Sequence, residues 1–242
     1  VNALAYIPEK GVIDPFGGVK DIENGLLRCV GDPEKRFTED SLRILRAVRF
    51  SATLGFEVEQ RTAAAAFSLR DSLRFVSAER ILTELTKLLC GENASGAILN
   101  FADILRVIIP CFPNDEQLPV TANALKATAP NIISRFSVLL RGCGVEQTNS
   151  VMKQLRASNA IRKSIAAVTA ELNLPTPNEH AAVCRSLNRI SPELFFRYIE
   201  VVKAFAAAES DKSRLSAARD AEKEAQAILK NGDCYCLRQL EI

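Results

Sequence analysis

The stretch that decides the fold is Glu39-Asp40-Ser41-Leu42-Arg43-Ile44-Leu45-Arg46-Ala47-Val48-Arg49-Phe50. Leu42, Leu45 and Val48 recur at the interval of one helical face, an apolar stripe that must find a core. Asp40, Arg43, Arg46 and Arg49 also follow one another three residues apart, so on a helix each stands about 60° round from the last. They make a slanted ribbon of one acid and three bases. A carboxylate accepts hydrogen bonds from an amino group, and a guanidinium offers a planar fork of donors to a ring acceptor or a phosphate. The ribbon therefore has the chemistry to read a base edge and the charge behind it. Spacing alone leaves a second reading open: Asp40 and Arg43 are also an ordinary i, i+3 ion pair on a solvated face, with the acid complementing the helix dipole. Thr38 is the expected N-cap of this helix and Gly55 its stop.

Outward from the ribbon, nearly everything after Thr38 reads as helix. The expected segments are 59–68, 78–89 with Ser77 as cap and Gly91 as close, 95–109, 132–142, 151–172, 179–188, 193–207 and 211–230. Pro110, Pro119, Pro130, Pro175, Pro177 and Pro192 punctuate them. Before the ribbon, Leu26-Leu27-Arg28-Cys29-Val30 between Gly25 and Gly31 reads as a short strand, preceded by a Pro15-Phe16-Gly17-Gly18 turn. The fold class expected is mainly α, with a short α/β piece at the start.

Composition narrows the class without deciding it. The 242 residues are 48% hydrophobic, enough for one to three domains. The 31 basic residues nearly balance the 29 acidic ones, so any nucleic-acid surface must be a local patch. Seven cysteines, scattered mostly through apolar runs such as Leu88-Leu89-Cys90, read as reduced thiols of a cytoplasmic protein. Cys234-Tyr235-Cys236 has no second pair and His180 is the sole histidine, so no zinc site is expected. No apolar run approaches the roughly 20 residues of a membrane span.

The words around the ribbon resemble those of the class II tRNA nucleotidyltransferases and poly(A) polymerases. In that family Arg-Arg-Asp-Phe-Thr-x-Asn-Ala is followed by Asp-Pro-x-Gly-Gly, Ile-Arg-x-Val-Gly-Asp-Pro and Glu-Asp-x-x-Arg. Here Val1-Asn2-Ala3, Asp14-Pro15-Phe16-Gly17-Gly18, Leu27-Arg28-Cys29-Val30-Gly31-Asp32-Pro33 and Glu39-Asp40-Ser41-Leu42-Arg43 come in that order. Glu79-Arg80-Ile81 to Lys87-Leu88-Leu89 resembles a later family helix. The resemblance spans residues 1 to 89.

What the resemblance implies is an enzyme that adds CCA to tRNA 3′ ends without a nucleic-acid template, with ATP and CTP as substrates and Mg²⁺ as cofactor. Asp40 and Arg43 would read the base, Arg46 and Arg49 would hold the nucleotide, and Glu39 would orient an arginine. The family's Gly-Ser turn and Asp-x-Asp metal ligands lie before the position of Val1, so no catalytic or metal-binding residue is expected in this chain. It would be inactive alone, since two-metal chemistry needs those carboxylates. Asp14, Asp21 and Asp32 stand in turn signals and are expected to serve the turns.

Family architecture would divide the chain into a head remnant (1–33), a neck carrying the recognition helix (34–98), a body (99–175) and a tail (176–242). A weaker expectation places RNA phosphate contacts at Lys153, Arg156, Arg162 and Lys163, whose alternative reading is simply solvated helix. One departure is informative. Many relatives carry Leu-Phe-His-Asp-Ile-Gly-Lys in the body, whereas this chain reads Leu139-Leu140-Arg141-Gly142-Cys143-Gly144-Val145, which removes the metal ligands of a phosphohydrolase. Leu155-Arg156-Ala157-Ser158-Asn159 resembles the family's Leu-Arg-x-Ser/Asp-Asn helix start and keeps the register, and the segment 232–242 resembles a word that continues into a further helical unit. Two other functions stay open: a poly(A) polymerase or an A-adding or CC-adding relative, and a helical RNA-binding protein without catalysis.

Overall fold

Pro33 opens a helix one turn earlier than the ribbon suggests. The computed structural model describes residues 4–9 and 11–231. Val1-Asn2-Ala3, the Cys234–Cys236 pair and the segment 232–242 lie outside the described residues. Asp32, not Thr38, is the cap: its carboxylate accepts from Glu34 N at 2.9 Å and Lys35 N at 3.3 Å, and Pro33 fills the first helical position, where no N–H is missed. The resulting helix is α2 (Pro33–Glu39), and Thr38 lies inside it, its hydroxyl donating to Glu34 O. Asp40 is extended, and the helix that carries Arg43, Arg46 and Arg49, α3, runs Leu42–Leu54. It ends on Gly55 at φ +71°, a left-handed residue whose N–H closes on Ser51 O.

The chain divides into two compact units, residues 1–110 and 111–242. In the first, β1 (Ala5–Ile7) and β2 (Gly11–Ile13) form an antiparallel hairpin, with Tyr6 opposite Val12. α1 (Gly18–Glu23) follows, and β3 (Leu26–Leu27) pairs in parallel with β4 (Glu57–Val58), Leu26 facing Glu57. α4 (Gln60–Ser68), a 3-10 turn (Arg70–Phe75), α5 (Ala78–Leu89), α6 (Ala94–Asn100) and α7 (Ala102–Ile108) complete the unit. The core is the stripe read from the sequence: Ile44, Leu45, Val48 and Ala52 of α3 are buried with Leu85 and Leu88 of α5 and Ile98 of α6. The expected helix 95–109 is two helices, broken at Phe101, where φ −124° leaves the helical region and the buried ring stacks on Phe67 at 5.8 Å.

In the second unit, α8 (Leu118–Lys126), α9 (Ile132–Leu139), α11 (Asn159–Leu172), α12 (His180–Ile190) and α14 (Lys212–Asn231) surround α13 (Pro192–Ala208), and α10 (Val145–Gln154) packs on α11. α13 is apolar almost all round, and Phe195, Tyr198, Ile199, Val202 and Phe205 are buried along it, as a central helix requires. The expected helix 151–172 is also two, because Arg156 turns left-handed at φ +55° and Ser158 caps the new start by accepting from Ile161 N. Ser77 stands before α5 as expected, but its side chain makes no capping bond. Buried Glu171 is satisfied by Ser186 Oγ at 2.8 Å and Arg189 at 2.6 Å, which ties α11 to α12. No helix among the described residues is long and apolar enough to cross a membrane.

A candidate nucleotide pocket lined by arginines

The parallel pairing of β3 with β4 lays Leu27 to Val30 beside the N-terminus of α4. Cys29 N donates to Thr62 Oγ1 at 3.1 Å, and Thr62 in turn donates from its amide and hydroxyl to Glu59. α2 and α3 stand across from this strand, and the space between is a cavity of about 400 Å³. Arg28, Arg36, Arg43 and Arg46 line it together with apolar Leu27, Val30, Phe37 and Ala47, the rings of Phe16 and Phe50, and Cys29 and Thr62. Among the described lining residues there is no carboxylate. Such a cavity suits a ligand that is flat and apolar at one end and polyanionic at the other.

The arginines differ in what they already hold. Arg28 makes a two-point pair with Asp21, Nε to Oδ2 at 3.0 Å and Nη2 to Oδ1 at 3.1 Å. Arg43 uses one nitrogen twice: Nη1 donates to Glu39 Oε2 at 2.7 Å and to the Arg36 carbonyl at 2.9 Å. The same Glu39 oxygen accepts from Arg36 Nη1 at 2.6 Å. The bond from Arg43, with the nearby guanidinium of Arg36, holds the Glu39 carboxyl below the usual range despite some desolvation, so it is ionised at neutral pH. Arg46 is exposed at the cavity wall.

The ribbon is split by the structure. Asp40 is not on the helix with Arg43 and makes no ion pair with it; the two share only the backbone bond from Arg43 N to Asp40 O at 3.0 Å. Asp40 Oδ1 accepts from Leu42 N at 3.2 Å, and Oδ2 from Arg80 Nη2 of α5 at 3.0 Å. Arg49 is turned to α5: its Nε lies 2.5 Å from Glu84 Oε2, an ion pair outside linear hydrogen-bond geometry, and its guanidinium sits 3.8 Å over the Phe50 ring. Neither Asp40 nor Arg49 lines the cavity. Arg28 and Arg36 do, and sequence reading did not single them out. The available signal was the Arg28 within the Leu27-to-Pro33 word and the basic residue one turn before Glu39.

The turn acids serve local structure. Asp14 accepts from Gly18 N at 2.7 Å and Val19 N at 2.9 Å, and these amides hold its carboxyl below the usual range. Among the described residues no group of three or more His, Cys, Asp or Glu side chains is placed to hold a metal ion. They do not fit a magnesium site.

In the second unit, Arg141 stacks 4.0 Å over the Phe205 ring and pairs with Glu209 at 2.5 Å, in the wall of a separate cavity of about 410 Å³. Lys153 lies in the last turn of α10, Arg156 in the link, and Arg162 and Lys163 near the start of α11, where Arg162 donates to Asn159 Oδ1 at 3.1 Å.

Comparison with known proteins decides the relationship. Residues 55–112 match a family described as the probable RNA and SrmB-binding site of polymerase A. A CCA-adding enzyme of Oceanobacillus iheyensis is 41% identical over 136 residues, 54% of this chain and 32% of that enzyme. One of Lactobacillus helveticus is 33% identical over 186 residues, 74% of this chain and 47% of that enzyme. The crystal structure of the Bacillus stearothermophilus CCA-adding enzyme in complex with CTP superimposes with a TM-score of 0.72 at 26% identity, covering 94% of this chain and 57% of that one. The chain belongs to the CCA-adding enzyme and poly(A) polymerase family. It spans less than half the length of these two curated relatives. Family membership and the mainly α fold thus agree with what the sequence words imply.

Proposed function

We propose that this chain supplies the nucleotide-selecting and RNA-binding part of a template-independent nucleotidyltransferase that adds CCA to tRNA 3′ ends, with CTP and ATP as substrates. The observation that carries the reading is the cavity walled by Arg28, Arg36, Arg43 and Arg46. Arg43 keeps Nε and Nη2 for a ligand once Nη1 is spent on Glu39 and the Arg36 carbonyl. Cytosine and adenine both present an exocyclic amino group next to an unprotonated ring nitrogen. Asp40 accepts from the amino group, through lone pairs that Leu42 N and Arg80 leave over, and Arg43 donates to the ring nitrogen. Uracil and guanine place a carbonyl and an N–H there, which would set acceptor against acceptor and donor against donor.

Arg46 holds the nucleotide from the cavity wall. Arg49, paired with Glu84, supports the helix from its far side and contributes to the nucleotide through that support. Lys153, Arg156, Arg162 and Lys163 form the RNA-contacting patch of the second unit, where phosphate contacts would weaken with salt. The division into head, neck, body and tail at 33, 98 and 175 is part of the same proposal. Magnesium belongs to the whole reaction and is assigned to no residue of this chain. A cytoplasmic setting accords with Cys29, Cys90, Cys111, Cys143 and Cys184 being thiols rather than disulfides.

The test gives the full-length gene product a tRNA that ends before CCA, with CTP and ATP. Two cytidines and one adenosine are expected. Adenosine alone would move the protein to the poly(A) or A-adding branch, and no incorporation would overturn the reading.

A further inference from the structure

Arg36 enters the cavity wall from α2, outside the ribbon, and its bonds lead to Arg43. Its carbonyl is one of the last four of α2, which have no partner within the helix, and Arg43 Nη1 satisfies it at 2.9 Å. Its guanidinium reaches Glu39 Oε2 at 2.6 Å, the oxygen that also accepts from Arg43 at 2.7 Å. Glu39 is half-exposed at the end of its helix, and a single cation would leave its flexible side chain free to change rotamer. With cations on two sides, one oxygen is held at one place. Arg43 is then anchored at a single nitrogen, and the rest of its fork is left to the cavity.

We propose that Arg36 is a positioning residue for Arg43, acting through Glu39, and that it sets selectivity between bases. This rests on the nucleotide-selecting reading above. A residue that merely adds positive charge, or that touches phosphate, would change the affinity of all four nucleotides alike, because all four carry the same triphosphate. A residue that aims Arg43 changes their ratio. The two roles therefore separate in one experiment.

Equilibrium binding of CTP, ATP, UTP and GTP to the chain is measured by calorimetry for the wild type, Arg36→Gln, Arg36→Lys, Glu39→Gln and the double variant Arg36→Gln/Glu39→Gln. Arg36→Gln is expected to lower the CTP-to-UTP affinity ratio about threefold to fivefold, the factor of an exposed ion pair at the upper end of its range. UTP affinity should stay near its starting value. Arg36→Lys should restore most of the ratio, since only one N–H···O bond is made to Glu39. In the Glu39→Gln background Arg36→Gln should add nothing. An equal loss for all four nucleotides, an unchanged ratio, or an additive effect in that background would overturn the inference and leave the nucleotide-selecting reading standing. A wild-type chain that binds the four without preference would overturn both.

Discussion

Asp40 shows how three-residue spacing can put a residue on the wrong element. Its three-residue step to Arg43 suggested one helical face, yet its extended backbone makes it the link between α2 and α3. From there it does two structural jobs, capping Leu42 N and holding Arg80. Asp40→Ala should therefore act twice. Loss of the cap should cost about 1 kcal/mol in thermal unfolding, as N-terminal caps do. Preference for CTP and ATP over UTP and GTP should fall about tenfold, the value of one charge-assisted hydrogen bond. Unchanged discrimination in a folded variant would remove Asp40 from base reading. Which partners Asp40 and Arg49 hold was not legible, because Arg80 and Glu84 lie on α5, some forty residues from Asp40 in sequence.

At the scale of the element, helix starts and stops followed local chemistry where a cap or a glycine spoke for itself. Gly55 ends α3 in the left-handed region, and Pro192 begins α13. Gly91 was expected only to close α5, and its actual constraint is a close approach. A Cβ there would stand 2.6 Å from Ala52 O and 2.8 Å from the Ala52 carbonyl carbon, while Asn93 N donates to that same oxygen at 2.8 Å. The end of α3 and the start of α6 meet on a glycine because nothing larger fits. Gly91→Ala should destabilise the first unit by about 2 kcal/mol, a typical overpacking cost, read as a lower midpoint in denaturant with an unchanged slope. An unaltered midpoint would show that the backbone at Ala52 yields freely. The break at Phe101 escaped sequence reading for a related reason: neither proline nor glycine marks it, and tertiary contacts outweigh a continuous helical pattern, whereas Ser158-Asn159 carried the word of a helix start inside the stretch read as one helix, 151–172.

Over the whole molecule, burial produces a property that no local pattern announced. Tyr198, on the central helix of the second unit, is 1% exposed, and burial pushes its hydroxyl from the ordinary 10 up to about 12, with a hydrogen bond from Thr176 opposing the shift. The folded-state value is raised, so this contribution to stability is complete below pH 10 and is lost as pH rises toward about 12. Tyr198→Phe should flatten that alkaline loss when unfolding is followed by circular dichroism across this window. A wild-type profile with no fall beyond that of Tyr198→Phe would show that the phenol is not ionised on unfolding there.

The sequence by itself determined the mainly α class, the buried stripe of α3, the order of the family words and the run of two acids and three arginines at residues 39 to 49. These are local matters of period, cap and residue type, and the chain carries them in consecutive positions. Only the tertiary structure decided that Arg28 and Arg36 join Arg43 and Arg46 around one cavity, while Asp40 and Arg49 are held by α5. The pairing of β3 with β4 and the turn at Asp40 bring those guanidinium groups together, and neither can be read from the spacing of the arginines. Where a side chain points is set by what packs against it, and those neighbours are distant in the chain.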